Sequence, residues 1–499
     1  MAKFMSKKKK TPFFSSILKC DHKMIGTFYL VLAIISGLLG AVFSLLLRLK
    51  LDDINLAHLN GFLSTPSDEL WLFILNISHA IIFIFFTLIP ALMGGFGNWF
   101  LPLMLGAKNV AFPKLNYLSF GLLVTSFILT CIMGVIKYSG FEASILGLSA
   151  IYLAAFSFII IFINFIVTIV TMRAPGLTLS GLPIFVWSIL IASFLGLIYV
   201  PAIIASIPHS MNFLFSMRNI ETDVQSFYLM MWFYTHPELY VLLLPAFGII
   251  SQIIISFCKR ALWGERFVIV AMIAMGGMGL LSWMSDLFRF NGFGLGSLHF
   301  VLAPPIMLTA MVFILGSWFM TLLKSHLSLQ IPLYWVFGFL VMLFMGLISM
   351  AQFIYVTWFE YNLGSSNYIA HFHYLLSLNA VFAIFAAWYY WLPKMTGYQS
   401  SSLISKLHFW SFFIGSNAIF IPQYLTGSDL KASYLIAVSL FGASLSGVSV
   451  FIFLYNLADT FLRRRQSKPY PWGKGTNTLE WQLPSPPKEG WILVPRLSK

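Results

Sequence analysis

Apolar runs of about 20 residues, long enough to cross a bilayer, recur along almost the whole chain. Backbone groups inside lipid must be satisfied within the segment that crosses, and runs of this length do so as helices. Twelve such spans can be placed, at 26–49, 70–103, 115–137, 145–172, 183–207, 227–257, 267–288, 298–323, 332–357, 367–393, 404–425 and 433–461. Only 9% of the residues are charged and 59% are hydrophobic, whereas a soluble domain is about a quarter charged. The chain reads as an all-α polytopic membrane protein with twelve transmembrane helices.

Basic residues set the expected orientation, because cytoplasmic loops hold an excess of them. With the N-terminus inside, of the 30 Lys and Arg only Arg48, Lys50, Lys137, Arg218, Arg289 and Lys431 fall outside or at the outer edge. The net charge of +14 then reflects topology and attraction to the inner leaflet of the lipid bilayer, and no nucleic-acid partner is implied. The division is a basic tail (1–25, inside), a twelve-helix domain (26–462) and a C-terminal tail (463–499, inside). MAKFMSKKKK leads into polar residues, which reads as a retained tail rather than a signal peptide. The stretch from about Ser467 is rich in Pro, Gly and Lys and reads as a surface tail. Cys20, Cys131 and Cys258 are too scattered to form a metal or redox motif.

Ionisable groups cost free energy at membrane depth and mark candidate sites. Away from the helix ends these are His79, His236, Glu238, His371 and His373. His22, His58, His209, His299, His326 and His408 fall in loops or near span ends, where a solvated or capping role is expected. In HFHY, His371 and His373 are two residues apart, about 200° around a helix. They suit two separate centres on opposite faces, or two core histidines bonded to neighbouring helices. His79 lies in an aromatic helix running into a glycine-rich break, surroundings that suit an axial ligand of a flat macrocycle or a plain core histidine. In WFYTHPELYVLLLPAFG, His236 and Tyr240 share a face while Glu238 points elsewhere. A carboxyl buried there would hold its proton, as a shuttle or as a structural group.

These residues resemble one family, subunit I of the haem–copper oxidases, and within it cytochrome c oxidase. The resemblance is carried by DHKMIGTFYL, SLLLR, PALMGGFGNWFLPLMLGA, AFPKLNYLSF, THPELYVLLLPAFGIIS, AHFHYLLSLNAVFAIFAAWYYWLP and LEWQLPSPP, in order along nearly the whole chain. It implies the subunit I fold and two haems. His79 and His373 match the axial ligands of a low-spin haem, Arg48 the arginine at that haem's formyl edge, and His371 the ligand of a high-spin haem. His236 matches a copper ligand, Tyr240 the tyrosine cross-linked to that histidine, and Glu238 a proton-relaying glutamate. It also implies oxidase subunits II and III as partners, cytochrome c reached through subunit II, and a bacterial plasma membrane or mitochondrial inner membrane.

The chain departs from the family pattern at several places. Ser285 and Asp286 in LLSWMSDLFRF stand where the family has two adjacent copper-binding histidines. PPIMLTAMVFILGSWFMTLLK lacks the family's lysine within span eight, and Asn109 in AKNVAF replaces the aspartate opening the other proton pathway. YLTGSDLKASY lacks the arginine pair for haem propionates, and NLGSSNY lacks the His-Asp pair of the magnesium site. Three readings follow: a terminal oxidase subunit with divergent copper ligation, a haem-binding paralogue for electron transfer or ligand sensing, and a structural or assembly homologue without turnover.

Overall fold

The computed structural model describes residues 21–51, 79–135, 141–216, 238–290, 298–323, 325, 327–358, 365–426, 433–473 and 478–487. Among them twelve long helices follow one another. They are α1 (His22–Leu51), α2 (His79–Leu105), α3 (Pro113–Val135), α4 (Phe141–Thr171), α5 (Ile184–Ser216) and α6 (Glu238–Cys258). Then come α7 (Glu265–Phe290), α8 (Leu298–Leu323), α9 (Ile331–Trp358), α10 (365–396), α11 (Ser402–Thr426) and α12 (Ser433–Arg463). Nine helices among the described residues are long and apolar enough to cross a membrane. Each of the twelve falls on one of the spans expected from the apolar runs. The protein is an integral membrane protein of all-α architecture.

Neighbouring helices run antiparallel, and their polar contacts give the register. Between α1 and α2, His22 Nδ1 bonds Asn98 O, Ser36 Oγ donates to Phe86 O, and His79 Nδ1 bonds Gly40 O. Between α3 and α4, Ser126 donates to Ala150 O, and Asn164 Oδ1 accepts from Phe112 N–H. The same sense joins α10 to α11, where Tyr389 meets His408 and His373 meets Phe420. In lipid, where apolar side chains gain little from associating, such contacts and close packing hold helices together.

Two helices depart from α geometry. In α2, π-helical turns cover Ile82–Leu88 and Pro90–Gly97, and Pro90 has no N–H for the helical ladder. In α10 the turn His373–Ser377 is π-helical. There Asn379 Nδ2 donates to the Tyr374 and Leu375 carbonyls at 2.7 and 2.9 Å, taking acceptors that the wide turn withdraws from the α ladder.

Two sequence expectations change here. His22 and His408, read as solvated or capping, are each 1% exposed. His408 Nδ1 pairs with Tyr389 OH at 2.9 Å, and its ring lies 4.9 Å from Trp335 and 4.6 Å from Phe385. Helix-end position did not mean solvent, because the neighbouring helices extend past it. The described tail is not wholly at the surface either: Trp472, Glu480 and Trp481 are buried. Arg465 turns the chain back by pairing with Asp459 at 2.6 Å. Gln399 N–H then donates to Arg465 O and Ser467 N–H to Gly397 O. Gly397, at φ 77°, ends α10 in the left-handed conformation that glycine adopts without a Cβ penalty.

Candidate functional site

Three candidate histidines lie among the described residues, and each is oriented through Nδ1. His373 Nδ1 lies 2.7 Å from Ile369 O, one turn back in α10. His79 Nδ1 lies 3.1 Å from Gly40 O in α1. A carbonyl can only accept, so both rings donate from Nδ1 and carry the imine lone pair on Nε2. His371 Nδ1 meets Ser349 Oγ of α9 at 2.8 Å. That hydroxyl's single proton goes to Gly346 O at 2.7 Å, so Ser349 accepts and His371 also donates from Nδ1. Three rings on two helices thus share one tautomer.

Their directions differ. His371 turns toward α9, whereas His373 turns toward α11 and stacks on Phe420 with centroids 4.2 Å apart. Two residues of helix therefore do separate the rings onto different neighbours, as the spacing predicts. His79 faces α1 and packs 5.0 Å from Phe83. All three keep some accessible surface, although Ala370, Tyr374 and Leu376 beside the α10 pair are buried.

The remaining candidates fall on element ends. Arg48 lies near the end of α1, Glu238 and Tyr240 in the first turn of α6, and Ser285 and Asp286 near the end of α7. The side chains of those residues, and the whole of His236, lie outside the described residues. Asn109 is in the loop after α2, where its Oδ1 accepts from Val110 N–H at 2.9 Å.

Sequence reading missed the groups that aim the histidines: Ser349, Gly346, the Gly40 carbonyl and Phe420. No pattern marks a serine in MLFMGLISM, since a hydroxyl in an apolar helix is ordinarily satisfied by its own backbone. It also missed a second polar cluster, at the opposite end of the bundle. Glu480 in the tail is fully buried. It accepts from Gln252 at 3.2 and 3.3 Å, from Tyr390 OH at 3.2 Å and from Trp391 Nε1 at 3.4 Å. Tyr390 OH also meets Ser256 Oγ, and accepts from Trp481 Nε1 at 2.6 Å. Burial pushes the Glu480 carboxyl above the usual carboxylate range, against the pull of these donors. Lys394 Nζ donates to Leu483 O at 2.6 Å and lies 4.7 Å above the Trp481 ring.

The donor chemistry fits haem iron. Histidines that bind metals almost always donate the other ring N–H to a nearby acceptor, and the three here all do so.

A succession of twelve membrane-length helices, with no strand among the described residues, defines a class of integral membrane helical proteins. Within that class, residues 24–432 match the family model described as cytochrome c and quinol oxidase polypeptide I, and the chain belongs to this family of haem–copper oxidase subunits. It is 32% identical, over 95% of its length and 93% of the relative's, to cytochrome c oxidase subunit 1 of Cereibacter sphaeroides. Its fold is similar to that of a haem–copper terminal oxidase dimer solved by cryo-electron microscopy, with a TM-score of 0.63 and 13% identity. That match covers 91% of this chain and 84% of the other.

Proposed function

We propose that this chain is a haem-binding electron-transfer subunit of the cytochrome c oxidase subunit I type. In this reading His79 and His373 would hold a low-spin haem, and His371 would hold a high-spin haem. The observation that carries it is the shared orientation of the three histidines, each donating from Nδ1 as metal-binding imidazoles do. When bound, haem supplies one-electron chemistry at its iron.

The chain's own residues orient and shield. The carbonyls of Gly40 and Ile369 hold two rings in one tautomer. Phe420 fixes the plane of His373 by stacking on it. Phe83 packs its ring against that of His79. By the family resemblance, Arg48 would contact the low-spin haem when it is bound, and Glu238 would be the proton-relaying carboxyl.

Copper divides the family's oxygen chemistry from haem electron transfer. A firm copper site takes about three imidazoles, and in the sequence His236 is one, with Tyr240 four positions on and Ser285 and Asp286 in place of the other two. This substitution favours a haem protein that has lost oxygen reduction over a working terminal oxidase. Subunits II and III, with cytochrome c reached through subunit II, are the partners the family suggests. The positive charges put both termini on the inner side of a bacterial plasma membrane or mitochondrial inner membrane.

The test is iron and copper per chain, measured on this subunit purified without subunit II. Two irons and no copper is the expected result. Two irons with one copper would establish an oxidase centre with other copper ligands, and Asp286 would be the first to substitute. No iron would leave only the structural reading. His79→Ala and His373→Ala should each abolish the low-spin haem spectrum, and an unchanged spectrum in either would refute that ligand.

A further inference from the structure

One of the three histidines is aimed differently from the others. His79 and His373 donate to backbone carbonyls, which no substitution can remove. His371 donates to a side chain, Ser349 Oγ, at 2.8 Å. Ser349 is 1% exposed, and its own proton is committed to Gly346 O at 2.7 Å. The serine thus sits between two fixed groups with a lone pair turned to the ring.

Gly346 explains why the hydroxyl reaches. A Cβ at this position would come 2.8 Å from Leu375 Cα and 3.0 Å from Leu375 N. The α9 and α10 backbones are therefore in direct contact one turn from Ser349. The contact falls on the π-helical turn His373–Ser377, whose carbonyls Asn379 holds. Backbone approach, wide turn and hydroxyl together set the His371 ring.

We propose that Ser349 is the positioning residue of His371, fixing its tautomer and rotation and setting how strongly Nε2 donates to a haem iron. This rests on the haem reading of His371 given above. An acceptor on Nδ1–H raises the basicity of the opposite nitrogen. A hydroxyl that donates onward to a carbonyl is polarised into a better acceptor. It is still neutral, so the ring stays an imidazole rather than being drawn toward imidazolate as a carboxylate would draw it. A stronger donor favours oxidised iron, so removing the acceptor moves the reduction potential upward.

The experiment compares the unsubstituted chain with Ser349→Ala and Ser349→Thr, each purified full length with its haems. It reads the high-spin haem's reduction potential and the iron–histidine stretch of the reduced protein, with the low-spin band as an internal check on folding. In Ser349→Ala the low-spin band should persist, the stretch should fall, and the oxidised-to-reduced balance of the high-spin haem should move about tenfold, or about 59 mV for one electron. Ser349→Thr should restore both. An alanine variant with the parent's potential and stretch would overturn the role of Ser349. If the alanine variant loses its low-spin band, Ser349→Thr against Ser349→Val, similar in shape, makes the comparison, and equal values there overturn the role too. Failure of the underlying reading looks different: His371→Ala would then leave the parent's high-spin spectrum unchanged, and the role of Ser349 would fall with it.

Discussion

Glu480 shows how much one residue depends on its surroundings. In LEWQLPSPP it is an acidic residue in a polar tail, and the ordinary expectation is a solvated carboxylate. In the structure it is fully buried beneath Tyr390 and Trp391 and held by Gln252. Burial outweighs those donors and raises its proton affinity in the docked state. The sign of the pH dependence follows: the docked form binds more protons than the undocked one, so docking weakens as pH rises. Docking is at full strength below the ordinary carboxylate range, falls from there to the raised value, and is flat above it. Glu480→Gln should remove this slope while leaving the tail docked, measured as protease sensitivity of the C-terminal segment against pH. A slope equal to the parent's would show that another group controls docking.

The crossing of α9 and α10 is where an element-scale property reaches the site. Gly346 allows the two backbones to touch, and a methyl there would have to displace Leu375 main chain rather than a flexible side chain. Overpacking of this kind costs about 1–3 kcal/mol. Gly346→Ala should lower the thermal midpoint in detergent and, by moving α9, lengthen the Ser349–His371 bond. Its spectroscopic shift should therefore follow that of Ser349→Ala. A variant with full stability and an unchanged spectrum would show that the crossing does not set the ring.

At the scale of the whole molecule, two polar clusters lie at opposite ends of the helices. One holds His79, His371 and His373 with their orienting partners; the other, at the far end of the antiparallel helices, holds His22, Gln252, Tyr390, Lys394, His408 and the tail. The tail joins α2, α6 and α10 at that end, with Trp472 Nε1 donating to Tyr390 O at 3.2 Å and stacking on its ring. Lys394→Met keeps the stem but removes the charged donor to Leu483 O, at a cost of about 1.5–3 kcal/mol. Proteolysis of the tail should then quicken about tenfold or more while helix content stays constant. An unchanged rate would mean that the aromatic contacts alone hold the tail.

The sequence by itself determined the helical membrane class, the succession of twelve spans and the family, because apolar length and ordered motifs are local properties. It also determined that His371 and His373 leave their helix on different sides, since rotation per residue is a property of the helix alone. The acceptor of His373 Nδ1–H, Ile369 O, lies one turn back in its own helix, but only the tertiary structure decided which groups receive Nδ1–H from His79 and His371. Ser349 lies 22 positions before His371 and Gly40 lies 39 before His79, and no pattern within one helix records what faces it from another. Burial of His408 and Glu480 was likewise decided by neighbours: a polar residue at a span end is solvated or enclosed according to what extends past it, and that depends on how the elements pack.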